Sequence, residues 1–355
     1  MIYIYAPHKF SSGGPELLHQ LAYILKNKHK KNVKMFYQPT TKTNPIHKDF
    51  KNLNIKFTKK IIDKKKNTLI IPEVYSALNH SLRYKNIKKV IWWLSVNNYL
   101  NSKFRSENNR FSRFFIKIPY FIIYFFNRIT SYYFGIFTKA DFIFSYYIQK
   151  NLNKSPELKQ AKFHLAQSDY ALNFIKKKFL SFKVFLLKDF QKDIFLDEYK
   201  NYKKNIKLKK NIVTYNGTKS NDFMNSIINY NKHIKFIPLI NLTPKEVKNT
   251  LLKSKIYMDF GFHPGMDRPP REAVLLGNCI ITNLKGSAKH FKDVPLPANF
   301  KFKEETKNLN KIKKLINLIF LDYAKYEKKF KKYRKQITLE KIIFYSQIKR
   351  IIHLL

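Results

Sequence analysis

The sequence predicts an α/β protein built from two doubly wound halves, each a parallel sheet flanked by helices, and three observations carry that expectation. A strand–loop–helix–strand run lies between residues 256 and 287. A strand, a glycine-containing loop and a helix open the chain. A lysine- and tyrosine-rich stretch at 191–210 interrupts the apolar pattern, and a fresh strand starts directly after it. At 355 residues and 44% apolar content the chain has material for two cores of ordinary size. The expected organisation is a first domain over 1–190, a linker over 191–210, a second domain over 211–325 and a helical segment over 326–355.

Met1 to Ala6 is an apolar strand leading into Pro7-His8-Lys9-Phe10-Ser11-Ser12-Gly13-Gly14-Pro15-Glu16. Leu17, Leu18, Leu21 and Leu25 then recur at helical spacing. Gly13 and Gly14 remove side chains where a substrate can pass close to backbone. Neither G-x-G-x-x-G nor G-x-x-x-x-G-K-[ST] is present, so neither a dinucleotide enzyme nor a P-loop kinase is indicated. Thr68 to Pro72 is a strand ending at Glu73, and Val90 to Leu94 is another, running into Ser95-Val96-Asn97-Asn98-Tyr99. Glu73 and Asn97 are candidates to face a substrate, and Glu73 equally suits a helix cap. Residues 143–145 and 184–187 read as late strands of this half.

In the second half, Ile212 to Tyr215 is a strand entering Asn216-Gly217-Thr218-Lys219, where Lys219 can meet a phosphate as a point charge. Phe236 to Ile240 is a further strand, and Thr243-Pro244-Lys245-Glu246 has the form of a capping box. Ile256 to Met258 is a buried strand. The loop after it carries Asp259, Gly261, His263, Gly265, Asp267 and Arg268, with Arg271 and Glu272 in the first helical turn. Pro269 and Pro270 suit that turn, Gly277 stops the helix, and Cys279 to Thr282 restarts a strand that ends at Lys285-Gly286-Ser287. Ligands bind at the carboxyl ends of parallel strands. Helix N–H groups with two arginines make an anion seat, and a carboxylate there can hold a hydroxyl pair. Taken singly, Asp259 and Arg268 also fit a loop-stabilising ion pair, and the glycines fit turns.

The segment HPGMDRPPREA resembles the nucleotide-sugar site of GT-B glycosyltransferases, especially the bacterial enzymes of capsule and lipopolysaccharide synthesis with an HPGxDRxPREA-like motif. Glu272-Ala273 followed by Gly277-Asn278-Cys279-Ile280-Ile281 is similar to the glutamate segment of the large retaining GT-B family. The Gly13-Gly14 loop, the WWLSVNNY segment and Ala166 to Ala171 resemble the amino-terminal half of such enzymes. The resemblance implies two Rossmann-like domains facing a cleft. It implies Glu272 on the donor ribose, and Arg268, Arg271, Lys219 and helix N–H groups on the diphosphate, with Asn216, Gly286 and Ser287 in or beside the same site. The retaining family has a second glutamate eight positions earlier; here that position is Pro264, which leaves His263, Asp259 or Asp267 to take its place. His263 is placed against sugar or phosphate. If the reaction inverts, a general base must come from the first domain, with His8, Glu73 and, ranked lower on its leucine-bearing helix, His19 as candidates.

The formal charge is +47, from 70 Lys and Arg against 23 Asp and Glu. Lysine arrives with abundant Asn, Ile, Tyr and Phe, a mixture that an A·T-rich genome produces, and no zinc finger or RNP-like motif accompanies it, so nucleic acid is not the expected partner. An anionic membrane surface suits the charge better. Residues 114–138 are strongly aromatic and apolar, split by Lys117 and Arg128 into pieces too short to cross a bilayer; they fit either an interfacial segment or a buried helical pair. The basic helical stretch 323–355 ends in mixed apolar spacing, and Ile342, Ile343, Ile348, Ile351 and Ile352 are expected to pack back on the first domain. One cysteine, Cys279, excludes internal disulfides and reads as a core residue; no signal segment precedes the first strand, which points to the cytoplasm. No DxD-like pair lies at a strand end, so no metal and no cofactor beyond the nucleotide-sugar co-substrate is expected.

The resulting expectation is a metal-independent glycosyltransferase that moves a sugar from a nucleotide donor to a glycan or lipid-linked glycan acceptor at the inner face of the membrane. Two rivals stand beside it: a non-catalytic membrane- or polyanion-binding protein, and a GT-B sugar-phosphate enzyme such as an epimerase or phosphorylase.

Overall fold

A computed structural model describes residues 1–103, 106 and 152–355. The aromatic segment 114–138 and the strand expected at 143–145 lie outside the described residues. The chain divides into two compact units, one of Met1–Ala166, Ala171–Phe185 and Leu355, the other of Gln167–Tyr170 and Leu186–Leu354.

The first unit is a seven-stranded sheet with strands β1 (Ile2–Pro7), β2 (Val33–Gln38), β3 (Phe57–Thr58), β4 (Thr68–Pro72), β5 (Lys88–Trp93), β6 (Phe163–Ala166) and β7 (Val184–Leu186), in the order 3-2-1-4-5-6-7. Pairing from β3 through β6 is parallel. A row across its centre pairs Met35, Ile4, Ile70, Val90 and Phe163, all buried. Covered on both faces, these strands read as continuous apolar runs without alternation. The first helix, Gly13–Asn27, starts at the glycine pair and buries its Leu17, Leu18, Leu21 and Leu25 stripe as the spacing predicts.

The second unit is a five-stranded parallel sheet of β8 (Lys210–Asn216), β9 (Lys235–Leu239), β10 (Ser254–Asp259), β11 (Cys279–Asn283) and β12 (Lys301–Phe302), ordered 12-11-10-8-9. Both sheets are of the Rossmann-like doubly wound kind. Cys279 is fully buried, and burial pushes its thiol up to about 12, so it is a core residue and not a nucleophile. Thr243 and Glu246 form the expected capping box ahead of the helix Pro244–Lys253.

Two expectations change. The stretch 191–210 is folded within the second unit: it holds helices Asp193–Tyr199 and Tyr202–Asn205, and Phe195 is buried in that unit's core. Phe195 and Tyr199 form a short apolar stripe that the surrounding lysines obscure. In the carboxyl-terminal helix, Lys331–Ile351, Ile348 and Ile351 are buried while Ile342 and Ile343 are exposed. The buried stripe runs through Tyr333, Ile337, Glu340 and Phe344, and Phe330, Tyr333 and Ile337 join the second unit's own core. Among the described residues, no helix is long and apolar enough to cross a membrane.

Candidate functional site

Strand β10 delivers Asp259 to the carboxyl edge of the second sheet, and the loop 260–267 joins it to the helix Arg268–Leu275. The Asp259 carboxylate accepts hydrogen bonds from Asn216 Nδ2 (3.0 Å), the Tyr257 hydroxyl (3.0 Å) and the Gly261 N–H (3.1 Å). Asn216 accepts in turn from the Lys219 N–H at 3.2 Å, so the ends of β8 and β10 are tied together. Lys219 Nζ lies 2.9 Å from Asp267, His263 Nδ1 lies 3.3 Å from the same carboxylate, and His263 Nε2 lies 3.3 Å from the Asp259 carbonyl oxygen.

Two carboxylates, a lysine and a histidine therefore share one largely enclosed cluster. Burial on its own favours neutral imidazole, but the charges of Asp259 and Asp267 outweigh it and raise the pKa of His263. Burial likewise pushes Asp267 upward, and His263 with Lys219 outweighs it, holding Asp267 below its ordinary value. One ligand atom each from Asp259, His263 and Asp267 lie within 4.8 Å of one another, a spacing at which they can hold a metal ion. Here Asp259 already accepts three hydrogen bonds and Lys219 brings positive charge to Asp267.

The loop is clamped from beneath by the turn after β11. The Ser287 N–H donates to the His263 carbonyl (2.8 Å) and the Ser287 hydroxyl to the Gly265 carbonyl (2.5 Å). Gly286 has φ +51, and a Cβ built there would stand 1.8 Å from the His263 carbonyl oxygen. A Cβ on Gly261 would meet Lys219 Cβ at 2.6 Å. Gly286 by its close backbone approach, and Ser287 by its N–H and hydroxyl, thus hold the loop's shape. Lys285 pairs with Glu304, which also accepts from Asn283 Nδ2 (2.8 Å) and Asn221 Nδ2 (3.2 Å) and gathers three loops of the sheet's carboxyl edge.

Arg271 departs from the anion seat expected of it. Arg271 is 1% exposed and donates to Asp189 (2.7 Å), Glu340 (2.8 Å) and the Met266 carbonyl (2.9 Å). Arg268 Nε lies 3.5 Å from the same Asp189. The two prolines add nothing to the seat, because Pro269 and Pro270 follow Arg268 directly in the helix and neither has an N–H to offer. Lys219, its side chain about one-third exposed, is the cation this cluster presents. Glu272 sits in the same helix, 7% exposed. Asp189, Glu340 and Glu304 are not among the site residues that the sequence predicts. A signal did exist for Glu340, which falls on one helical stripe with Ile337 and Phe344, where an acid needs a buried partner.

In the first unit, His8 follows β1 and its Nε2 lies 2.9 Å from the Thr41 hydroxyl, part-buried. Gly13 has open space where a side chain would stand, and a Cβ on Gly14 would lie 3.5 Å from Leu94. Glu73 is 1% exposed and accepts from the Leu94 N–H at 2.9 Å, with the Asn98 side chain as a further partner. The carboxylate is thus enclosed between the ends of β4 and β5, and the helix that follows it, Tyr75–Ser81, has Val74 as its N-cap and no side-chain cap. Burial pushes the Glu73 carboxyl up to about 7. His19 is packed: its ring contacts the Pro15 carbonyl (2.6 Å) and the Tyr37 hydroxyl (2.8 Å) and stacks on Phe50, and burial lowers its pKa to about 4.

No protein-family model matches the chain, and no curated protein matches its sequence. Solved structures do share its fold. A glycosyltransferase from Rickettsia africae aligns over 99% of this chain and 97% of its own, with 12% identity and a TM-score of 0.59. Sucrose-phosphate synthase from Thermosynechococcus elongatus aligns over 98% and 99%, with 11% identity and a TM-score of 0.57. Anabaena HepE, in complex with UDP and glucose, aligns over 100% and 99%, with 10% identity and a TM-score of 0.55. The fold is that of the GT-B glycosyltransferases, with two Rossmann-like units in one chain.

Proposed function

We propose that this protein is a glycosyltransferase that takes a sugar from a nucleotide-sugar donor bound at the carboxyl edge of the second sheet. The observation that carries the reading is the clamped loop 259–267, with its Lys219–Asp267–His263–Asp259 network, in a fold that HepE uses with UDP-glucose. Glu272, on the resemblance of its segment, takes the ribose hydroxyls. Lys219 faces the diphosphate.

When the glycosidic bond to the donor breaks, negative charge develops on the departing diphosphate, and fixed positive charge in a partly desolvated site stabilises it. Lys219 supplies that charge, and His263 compensates Asp267 when the ammonium turns toward the phosphate. The reaction on this reading needs no metal ion. With Glu73 and His19 enclosed, His8 is the first-unit group we assign to the acceptor hydroxyl's proton, should the reaction invert. The acceptor is a surface glycan of capsule or lipopolysaccharide type, free or lipid-linked. The charge of +47 favours work at the anionic inner face of the cytoplasmic membrane.

The test is thermal stabilisation against UDP-, GDP-, ADP-, CMP- and dTDP-sugars without metal, for wild type, Glu272→Ala and Lys219→Ala. A shift selective for one nucleotide and lost in both variants is the expected result. Absence of a shift with every donor, together with tight salt-sensitive binding to anionic vesicles, would overturn the enzyme reading.

A further inference from the structure

We propose that Arg271, Asp189 and Glu340 form a positioning cluster through which the carboxyl-terminal helix sets the loop 263–267 for its ligand. The proposal rests on the reading above that this loop faces the donor.

The geometry begins at Met266, a buried residue whose peptide groups are held on both sides. Its N–H donates to Gln167 Oε1 at 3.2 Å, and its carbonyl accepts from Arg271 at 2.9 Å. Arg271 Nε also reaches the Asp267 carbonyl at 3.3 Å. One guanidinium therefore touches the backbone of two consecutive loop residues. The second of these, Asp267, is the carboxylate that grips Lys219 and His263.

The guanidinium is itself fixed by two acids from remote parts of the chain, Asp189 just ahead of the helix Asp193–Tyr199 and Glu340 midway along Lys331–Ile351. The Asp189 and Glu340 side chains are 2% and 5% exposed. Arginine presents its donors in a rigid plane, so carboxylates on its two terminal nitrogens determine where its remaining N–H groups point. A lysine would carry the charge without the direction. Burying such a group is costly, and a packed apolar side chain of similar volume is often at least as stabilising. What the ion cluster adds over an apolar contact is the orientation of the loop backbone.

Two full-length variants test this, Glu340→Gln and Arg271→Lys. Glu327→Gln serves as control, because Glu327 forms another buried acid–arginine pair, with Arg334, that does not touch the loop. Hydrogen exchange is followed in peptides covering 260–268 and in β10 and β11, and affinity is measured for UDP-glucose, or for whichever panel donor stabilises the wild type. In both variants the loop should exchange about tenfold faster while the strands stay protected, and donor affinity should fall by a similar factor, with turnover at saturation little changed. Glu327→Gln should lower the melting temperature without altering either readout.

Unchanged loop exchange in Glu340→Gln would overturn the proposal, as would faster loop exchange with unaltered donor affinity. If Arg271→Lys fails to fold, Glu340→Gln decides alone. Should the wild type bind no nucleotide sugar, the donor reading fails, and the exchange arm still decides whether the cluster holds the loop.

Discussion

Glu73 offers a sharp test, because its burial sets a sign for the pH dependence that a catalytic role does not. Its carboxyl sits at about 7 in the folded chain against an ordinary 4.5. The folded state therefore holds a proton between those values that the unfolded chain releases, and stability falls as pH rises through that window. The difference corresponds to about 3 kcal/mol at pH 8 relative to pH 4 or below. Glu73→Gln retains an oxygen to accept from the Leu94 N–H and cannot ionise. Whatever fixed cost its amide carries, the advantage of the variant over wild type should grow from pH 5 to pH 8, by roughly 6–10 °C in melting temperature for a unit of this size. The chain's two tryptophans, Trp92 and Trp93, are buried in β5 next to this site, so tryptophan fluorescence follows the first unit specifically. His19 and His164, whose burial lowers their pKa values to about 4 and about 3, contribute the opposite slope below pH 6.5, and they cancel in the difference between variant and wild type. A melting difference flat across pH would show that Glu73 does not carry a raised pKa in the folded chain. Loss of turnover in a folded Glu73→Gln would restore Glu73 as a base.

Arg271→Ala should be a folding variant before it is a binding variant: it leaves Asp189 and Glu340 buried without their shared partner, at a cost of about 3–5 kcal/mol read by urea unfolding of the second unit. A variant as stable as wild type would return Arg271 to the list of ligand-facing groups. Gly286→Ala should displace the His263 loop, because the methyl would overlap the His263 carbonyl oxygen and the positive φ adds about 1–2 kcal/mol of strain. Faster exchange of the Ser287 amide is the expected readout, and unchanged protection there would show that the clamp is not needed.

The strand, loop, helix and strand around residue 259 were legible because each is a local pattern. The apolar run at 256–258 became β10, the proline pair began the helix Arg268–Leu275, Gly277 with φ +90 ended it, and Cys279–Asn283 followed as β11. The N-terminal strand and leucine helix were legible for the same reason. Helical order at 191–210 was hidden, since three aromatics, Phe195, Tyr199 and Tyr202, spread among many charged residues fall below any periodicity signal. The division between units also differs from the expected boundary at 190. Gln167–Tyr170 belongs to the second unit, where the Asp293 carboxylate accepts from the Asp169 and Tyr170 N–H groups at 2.7 and 2.8 Å.

By itself, then, the sequence determined the fold class, the places where loops leave the strands and the residue types gathered there. Hydrophobic periodicity and glycine or proline punctuation are properties of neighbours along the chain, and they survive without knowledge of the packing. Which charges meet was decided only by the tertiary structure. Arg271 turned away from an anion seat toward acids 82 and 69 positions away, and Glu73 turned inward onto the end of β5. Burial makes an unpaired charge expensive, so each such side chain takes the partner that long-range packing supplies, and nothing in its local sequence names that partner.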